Sequence, residues 1–221
     1  MKYIIHFLYV AWYWDMALAF FIVKREIAGE RKYRINTTGT DNLKGIMPAE
    51  ERVHATMYEP VNYFTAEWLM DRVTEEEKKT GFLDVGCGKG RVLAIASAYG
   101  FASVTGIEIS PRLIKAIPPD RCTIHCIDAR HYDIPDHIGV IFLFNPFDEI
   151  VMKAFIGKVM ESLRRNSRPM KVLYANPRCR QLWLDAGFEE TEAVVKMTFL
   201  QGCVLEKKGD PEEKIQGSTS R

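Results

Sequence analysis

The sequence predicts an α/β protein: a doubly wound, mostly parallel seven-stranded sheet with an antiparallel last strand pair, preceded by an N-terminal helical extension. Short apolar runs alternate with helix-like segments, a pattern that places helices on both faces of a parallel sheet. The first run, Phe82–Gly86, leads into a glycine-rich loop of the kind found at the carboxyl edge of such sheets. The last two runs are joined by the short turn Gln201–Gly202, which makes them an antiparallel pair.

The individual elements follow from the same alternation. Leu83 and Val85 fit a strand that is buried on both faces. The predicted strands are Phe82–Gly86, Ser103–Ile109, Cys122–Asp128, Val140–Asn145, Met170–Ala175, Glu190–Leu200 and Gly202–Lys207. The predicted helices are Val61–Val73, Arg91–Tyr99, Pro111–Ile117, Glu149–Arg164 and Arg178–Ala186. The helix after the second strand is short because Pro118–Pro119 stop it.

The glycine-rich loop is suited to holding a cofactor that carries a ribose. Gly86, Gly88 and Gly90 can adopt positive φ and allow a ligand to approach the backbone closely. The helix that begins at Arg91 directs free N–H groups toward that ligand. Glu108 ends the next strand, where a carboxylate can accept hydrogen bonds from two ribose hydroxyls. A glycine triplet alone is equally compatible with a tight turn.

The spacing of the loop separates the cofactor classes. Nicotinamide-binding folds use G-x-G-x-x-G, whereas Asp84 to Gly90 reads D-x-G-x-G-x-G. This pattern resembles motif I of the class I, Rossmann-like S-adenosylmethionine-dependent methyltransferases, and the resemblance extends over roughly residues 58–207. It implies S-adenosyl-L-methionine as the cofactor, with Glu108 on the ribose and Asp128 on the adenine amino group. The cofactor-binding residues that it implies are Asp84, Gly86, Cys87, Gly88, Gly90, Glu108, Ile109, Asp128, Ala129 and Asn145.

The fourth predicted strand ends in Asn145-Pro146-Phe147. This segment resembles the [N/D]-P-P-[Y/F] motif of methyltransferases that act on planar or amide nitrogens. The resemblance implies that Asn145 accepts a hydrogen bond from the acceptor amine and that the Phe147 ring packs against the acceptor. One proline of the motif is missing, so the substrate class stays open. A second Asn-Pro pair, Asn176-Pro177, shows that such a pair can simply end a strand.

A further segment, Tyr58-Glu59-Pro60, precedes the first helix of the domain. It resembles a segment of the seven-strand protein-lysine methyltransferases, which implies that Tyr58 lies over the methionine end of the cofactor. The alternative is an ordinary helix start with Pro60 in its first turn. Both resemblances agree on a nitrogen acceptor, but they differ on whether it is a protein lysine, an amide or a base.

The N-terminal segment Tyr3–Val23 is almost wholly apolar and is followed by Lys24-Arg25. It fits three descriptions: a packed cap on the domain, a helix lying in a membrane interface, and a transmembrane anchor. Asp15 lies near its middle, where a charge costs roughly 2.5–3.5 kcal/mol on insertion. A secretory signal is rejected because export would separate the enzyme from an intracellular cofactor. We therefore expect a cytoplasmic protein, with membrane association through residues 3–23 left open.

Four regions are expected along the chain. Residues 1–34 form the hydrophobic helical segment, 35–57 a linker or cap, 58–208 the cofactor-binding domain and 209–221 a disordered tail. The net charge of +1 shows no nucleic-acid footprint. The five cysteines include no C-x-x-C pair and are expected to be free thiols. The histidines show no metal-like spacing, so no metal site is predicted.

Two classes of function follow. The first is an S-adenosylmethionine-dependent methyltransferase that methylates a nitrogen of a protein side chain, lysine or amide, with a small-molecule or nucleic-acid acceptor as the alternative. Asn145, Phe147 and Tyr58 are its candidate catalytic residues. The second is a catalytically inactive Rossmann-like binding module, attached to a membrane or partner by its N-terminal helix. The intact glycine loop and both acids favour the enzyme; the acceptor and the oligomeric state stay open.

Overall fold

The computed structural model describes residues 2–39, 58–118 and 122–209. Seven strands form one sheet in the order β3-β2-β1-β4-β5-β7-β6. Neighbouring strands from β3 to β5 pair in parallel, whereas β7 is antiparallel to both β5 and β6. The predicted fold class is confirmed, including the antiparallel last pair.

The strands are β1 (Gly81–Val85), β2 (Ser103–Glu108), β3 (Thr123–Cys126), β4 (Ile138–Phe144), β5 (Met170–Ala175), β6 (Glu189–Lys196) and β7 (Leu200–Lys207). The helices are α1 (Lys2–Tyr13), α2 (Met16–Tyr33), α3 (Tyr63–Met70), α4 (Glu75–Lys78), α5 (Arg91–Tyr99), α6 (Pro111–Ile114), α7 (Glu149–Arg165) and α8 (Arg180–Asp185). The predicted helix Arg91–Tyr99 matches α5 and the predicted strand Met170–Ala175 matches β5, whereas the other elements shared with the prediction differ from it at one or both ends. The short α4, with its Thr74–Glu77 capping box, was not anticipated.

One predicted turn is wrong. The last two strands are connected at residues 197–199, not at Gln201–Gly202, which both lie inside β7. Met197 and Thr198 adopt left-handed backbone conformations and close the hairpin. Gly202 has a different role, because a Cβ there would approach the Thr65 methyl group on α3 to 3.1 Å. Glycine at this position lets α3 pack closely on β7. It does not take part in the chain reversal.

The apolar N-terminal segment is a helical hairpin rather than one long helix. The chain breaks at Asp15, whose carboxylate accepts a hydrogen bond from the Leu18 N–H at 2.9 Å and thereby caps α2. The two helices contact each other through Phe7 and Phe20, whose ring centroids are 4.8 Å apart. The charge that the sequence placed inside an apolar run therefore lies at a helix start. Within the described residues, no helix is long and apolar enough to cross a bilayer.

Helix α2 packs onto the domain, as expected of a cap. Gly29 lies against the ring of Tyr63 at the start of α3, so closely that a Cβ at this position would overlap the ring. Tyr33, at the end of α2, stacks in parallel on the same ring with centroids 5.9 Å apart. The linker at residues 40–57 and the tail at 210–221 lie outside the described residues, so those two expectations stay predictions.

The close packing at Gly29 generates a test. Alanine is the better helix former by about 1 kcal/mol, but overpacking costs about 1–3 kcal/mol, and the Tyr63 ring here leaves no space for a methyl group. We expect Gly29→Ala to lower the free energy of unfolding, measured by urea denaturation. Gly157 lies inside α7 with open space around it, so Gly157→Ala should stabilise the protein by about 0.5–1 kcal/mol. Equal effects of the two substitutions would contradict this packing.

Candidate functional site

The glycine loop follows β1 at the carboxyl edge of the sheet, and all three of its glycines have positive φ, between 54° and 78°. Each glycine also admits a close neighbour. A Cβ at Gly86 would lie 2.9 Å from Pro146, and one at Gly88 would overlap the Tyr58 ring. The loop therefore brings together residues from the end of β4 and from the segment before α3, which the sequence had placed there only by resemblance.

The backbone N–H groups of the loop are largely engaged within the protein. Gly86 and Cys87 both donate to the Ile107 carbonyl, at 2.9 and 3.0 Å, and Gly90 donates to the Cys87 carbonyl at 2.8 Å. These bonds fasten the loop to β2 and make a rigid cradle. Of these three residues only Gly90 adjoins the start of α5, so the expectation that N–H groups from Arg91 onward face the ligand stays a prediction.

Glu108 lies at the end of β2, as predicted, and its side chain connects two loops. One carboxylate oxygen accepts from the Gly88 N–H and the other from the Ser110 N–H, both at 2.9 Å. Burial raises the pKa of this carboxyl, and the backbone hydrogen bonds from Ser110, Gly88 and Ile109 only partly oppose that rise. The carboxylate is thus positioned next to the glycine loop, where a ribose would lie.

Asp84 is the less satisfied of the two acids. It lies within β1, and its Oδ2 atom is buried with no hydrogen-bond partner among the described residues. Burial, followed by repulsion from Glu108, raises its pKa well above the usual range. An orphaned buried oxygen beside a glycine cradle fits a ligand that supplies a donor, and the ammonium group of S-adenosylmethionine is such a donor.

The raised pKa of Asp84 predicts how stability depends on pH. A carboxyl whose pKa is higher in the folded than in the unfolded protein binds more protons when folded, so its contribution is lost as the pH rises through the folded value. We expect Asp84→Asn to increase the melting temperature at neutral and alkaline pH and to flatten the fall of stability with rising pH. Melting curves of both proteins between acid and alkaline pH test this. A variant less stable than the parent at high pH would contradict it.

Cys87 has no access to a ligand through its thiol. The side chain packs over β2, where a Cβ on Gly106 would lie 2.8 Å from its sulfur atom. Burial is the main reason why its pKa is raised well above the usual range, so the thiol stays protonated. Cys87 can therefore contribute to cofactor binding only through its backbone.

Asp128 lies two residues after β3, and its carboxylate is hydrogen-bonded to a neighbouring side chain. It caps a short 3-10 helix, Ala129–His131, and its carboxylate accepts from the Arg130 side chain at 2.6 and 2.9 Å. Partial burial acts to raise its pKa, but the hydrogen bonds and charge of Arg130 lower it overall. Asp128 is ionised and oriented here, and Ile109 and Ala129 are half-buried beside the ends of β2 and β3.

Asn145 is buried at the carboxyl end of β4 and adopts a left-handed backbone conformation with φ 40°. Asn176, at the end of β5, has the same kind of conformation with φ 48°. Asparagine tolerates this region better than most residues, so both positions suit it structurally. They differ in their surroundings: the proline after Asn145 contacts Gly86, so Asn145 lies beside the cofactor loop.

Phe147 lies between Asn145 and the start of α7. Its ring is buried in the core and contacts Phe155 of α7 with centroids 6.1 Å apart. The next residue, Asp148, caps α7. The contact of this ring with an acceptor stays a prediction.

Tyr58 lies over the glycine loop, and its position over the methionine end of the cofactor stays a prediction. Its ring covers Gly88, the Lys89 ammonium lies 5.2 Å from the ring centroid, and its hydroxyl donates to the Thr37 carbonyl at 2.9 Å. Burial raises the pKa of the phenol, so the hydroxyl remains protonated and acts as a donor. The Tyr58 hydroxyl thus contributes a hydrogen bond that holds residue 37 above the loop.

Sequence reasoning missed Arg91, the first residue of α5. Its buried guanidinium forms a bidentate ion pair with Glu26 of α2 and donates to the Thr37 hydroxyl and the Val61 carbonyl, both at 2.7 Å. Its charge also lies 4.2 Å from the Tyr63 ring centroid. The sequence did carry a signal for this pair. Glu26 follows the apolar part of α2, and Arg91 is the first residue of the otherwise apolar α5.

The same contacts hold residues 34–39, which we term the strap, above the glycine loop. Glu30 accepts hydrogen bonds from the Thr37 and Thr38 N–H groups at 3.2 and 3.3 Å, and Lys89 donates to the Thr38 carbonyl at 3.3 Å. The N-terminal hairpin is thereby attached to the site through two buried glutamates on successive turns of α2. The hairpin is part of the wall around the loop.

Removing one partner of the buried ion pair should be costly, because it leaves an uncompensated charge. We expect Glu26→Ala to lower the free energy of unfolding by about 3–5 kcal/mol. Glu76 pairs with Lys79 on the surface, so Glu76→Ala should change it by no more than about 1 kcal/mol. Urea denaturation of both variants measures the difference, and a Glu26 variant as stable as the Glu76 variant would show that the pair is unimportant.

A cavity of about 200 Å³ lies behind the loop, between the strap and α5. Its lining includes Thr37, Gly90, Leu93 and Ile117, but none of Asp84, Glu108 and Asn145. It adjoins the segment after the short α6, whose early end leaves this space uncovered. We assign the site by the side chains at the carboxyl edge rather than by this cavity. Among the described residues, no cluster of three or more His, Cys, Asp or Glu could hold a metal ion.

Part of the chain matches a known protein family. Residues 82–169, from β1 to the residue before β5, match the model of a methyltransferase domain. A search of curated proteins finds no match to this sequence. The matched range contains the glycine loop, both acids and Asn145.

Solved structures show the same fold. A proposed RNA methyltransferase from Pyrococcus horikoshii is similar with a TM-score of 0.58 and 13% identity, over 84% of this chain and 97% of that one. A protein of Thermoplasma acidophilum is similar with a TM-score of 0.56 and 15% identity, over 84% and 97% of the two chains. An S-adenosylmethionine-dependent methyltransferase from Mesorhizobium loti is similar with a TM-score of 0.52 and 11% identity, over 64% and 98%.

Proposed function

We propose that this chain, a class I S-adenosylmethionine-dependent methyltransferase, methylates a nitrogen of a protein side chain, either lysine or an amide. The observation that carries the nitrogen assignment is the position of Asn145. It lies buried at the carboxyl end of β4, and the proline that follows it contacts Gly86 of the cofactor loop. An amide in this place is next to both the methyl donor and the acceptor.

We assign cofactor binding to the residues around the loop. Glu108 accepts hydrogen bonds from the ribose hydroxyls, exchanging its present contacts with Gly88 and Ser110 for them in part. The unpaired Oδ2 atom of Asp84 would accept a hydrogen bond from the ammonium group of the cofactor. The positive charge of that group would lower the pKa of the Asp84 carboxyl. Asp128, with Ile109 and Ala129, faces the adenine. The positive φ values of the three glycines keep side chains out of the space that the ligand needs.

We assign acceptor positioning to Asn145. The cofactor supplies a methyl group on a sulfonium, which is a good leaving group. The side-chain oxygen of Asn145 accepts an N–H of the acceptor and orients the nitrogen lone pair toward that methyl group. No strong base is required, in agreement with a Tyr58 phenol that stays protonated. Tyr58 and the strap cover the loop, and Phe147 fixes the backbone below Asn145.

A protein acceptor is favoured over a nucleic acid by charge. The net charge is +1, which gives no basic footprint of the kind that binds phosphate backbones. The Pyrococcus horikoshii protein is a proposed RNA methyltransferase, but at 13% identity its likeness concerns the fold only. A small-molecule acceptor is the alternative within the same chemistry. A non-catalytic binding module is the alternative of another class, and it gives no physical reason for an orphaned Asp84 beside an intact glycine loop.

Asn145 can be tested against a matched control in the same chain. Glycine keeps the left-handed backbone without strain, so Asn145→Gly removes the amide with little change in conformation. We expect it to reduce methyl transfer to an acceptor in protein extract by about 100-fold or more, as loss of a positioning contact does. The affinity for S-adenosylhomocysteine, measured by titration calorimetry, should stay within about threefold of the parent. Asn176→Gly should preserve both.

The outcomes separate the proposals. Glu108→Ala should lose S-adenosylhomocysteine binding, which checks the cofactor site independently of any acceptor. Equal loss of affinity and turnover in Asn145→Gly would make Asn145 structural. A folded parent protein that does not bind S-adenosylhomocysteine would contradict the cofactor assignment itself. Labelled methyl groups found in small molecules or in RNA, and not in protein, would overturn the acceptor class alone.

A further inference from the structure

Helix α1 exposes an apolar face that no other described part of the chain covers. Its outward residues form two ridges with four-residue spacing, Ile4–Leu8–Trp12 and Ile5–Tyr9–Tyr13. Trp12 is 85% exposed and Leu8 is 60% exposed. The opposite face packs through Phe7 and Val10 against Leu18 and Ala19 of α2. A helix that is apolar all round is normally buried all round, so one side of α1 lacks its partner.

The exposed face continues around the elbow of the hairpin. Trp14 follows α1, and Met16 and Phe20 extend the surface onto α2. Phe199, in the β6–β7 turn, is also exposed, and its ring centroid is 6.2 Å from that of Trp14. The face therefore spans two helices and a hairpin tip. Such a contiguous exposed apolar surface marks an interaction site more often than scattered residues do.

Charge indicates what covers this face. Within residues 3–34, the acids Glu26 and Glu30 are buried against Arg91 and the strap, and the exposed acid is Asp15. The exposed cations of α2 are more numerous: Lys24, Arg25, Arg31 and Lys32, of which Arg25 and Lys32 pair with Glu67 of α3. Lys24 lies one turn after Phe20 and Arg31 one turn after Ile27, so cations alternate with apolar residues along one stripe. This combination matches a negatively charged surface with an apolar layer beneath it.

The dimensions agree with a helix that lies on a bilayer rather than across it. The twelve residues of α1 extend about 18 Å, whereas the hydrocarbon core is about 30 Å thick. Trp12, Tyr13 and Trp14 gather at the elbow, and tryptophan and tyrosine favour the boundary between lipid and water. We propose that α1 and this elbow dock the protein on the surface of an anionic lipid bilayer.

The docking surface lies on the same edge of the sheet as the site. Leu200 packs with Val10 and Leu18, and it begins β7 just beyond the pair formed by Gly202 with Ala175 at the end of β5. Phe144, the residue before Asn145, pairs with Ala175. The hairpin is thus attached at the carboxyl edge, where Asn145 also lies. Docking does not depend on which acceptor is methylated.

Vesicle co-sedimentation of the full chain tests the proposal. We expect binding to vesicles of phosphatidylcholine with phosphatidylglycerol, weaker binding to phosphatidylcholine alone, and a decrease with added salt. The double variant Leu8→Ser/Trp12→Ser should weaken binding by about tenfold or more, with no loss of stability because both side chains are exposed. Lys24→Glu/Arg31→Glu should weaken binding to the anionic vesicles only. Ile150, 64% exposed on α7, provides the control, and Ile150→Ser should bind like the parent.

Two results would overturn the proposal. One is a parent protein that does not bind the anionic vesicles. Analytical ultracentrifugation then shows whether this protein is a monomer or a dimer that the Leu8→Ser/Trp12→Ser substitutions dissociate. The dimer would identify a second copy of the chain as the cover. The other is vesicle binding that Ile150→Ser weakens as much as the α1 variant does. Titration of the same samples with S-adenosylhomocysteine tests the cofactor site. Failure of the docking proposal and failure of the proposed function are thereby distinguished.

Discussion

The buried ion pair between Arg91 and Glu26 is the interaction on which the arrangement of the site depends. Arg91 begins the helix that follows the glycine loop, and Glu26 belongs to the N-terminal hairpin. A buried guanidinium is tolerated only when its donors are satisfied, and Glu26, Thr37 and the Val61 carbonyl satisfy them here. Thr37 is part of the strap. Arg91, the first residue of α5, therefore also holds the strap over the glycine loop. The hairpin and the methyltransferase domain are in this way one structural unit around the site.

The carboxyl edge of the sheet concentrates the remaining chemistry. Parallel pairing of β1 with β2 and with β4 places Asp84, Glu108 and Asn145 at one edge, although more than sixty residues separate the first from the last. The two acids are buried, and repulsion between them adds to the cost of ionising Asp84. A cationic ligand would relieve that repulsion. The free energy that it costs to ionise Asp84 is therefore also a source of affinity for a positively charged cofactor.

Some patterns in the sequence have two physical meanings, and packing decided between them. Gly202 was interpreted as part of a turn, but it lies in β7, where a Cβ would approach the Thr65 methyl group of α3 to 3.1 Å. Asp15 interrupted an apolar run, and it caps α2 through the Leu18 N–H. The Phe147 ring packs against Phe155 of α7. The partner of Gly202 lies far away in the sequence and those of Asp15 and Phe147 lie nearby, but in each case the pattern alone did not show which contact the residue makes.

The sequence by itself determined the fold class and the cofactor class. Alternation of apolar runs specifies a parallel sheet, and the spacing from Asp84 to Gly90 specifies the loop, because both are local consequences of backbone geometry. Only the tertiary structure decided that Arg91 joins the loop to α2, that Tyr58 covers Gly88, and that one face of α1 stays exposed. These features depend on which surfaces meet after folding. Side-chain contacts between distant segments leave no periodic trace in the chain, so a local pattern can single out a residue such as Arg91 or Tyr58 but does not identify its partner.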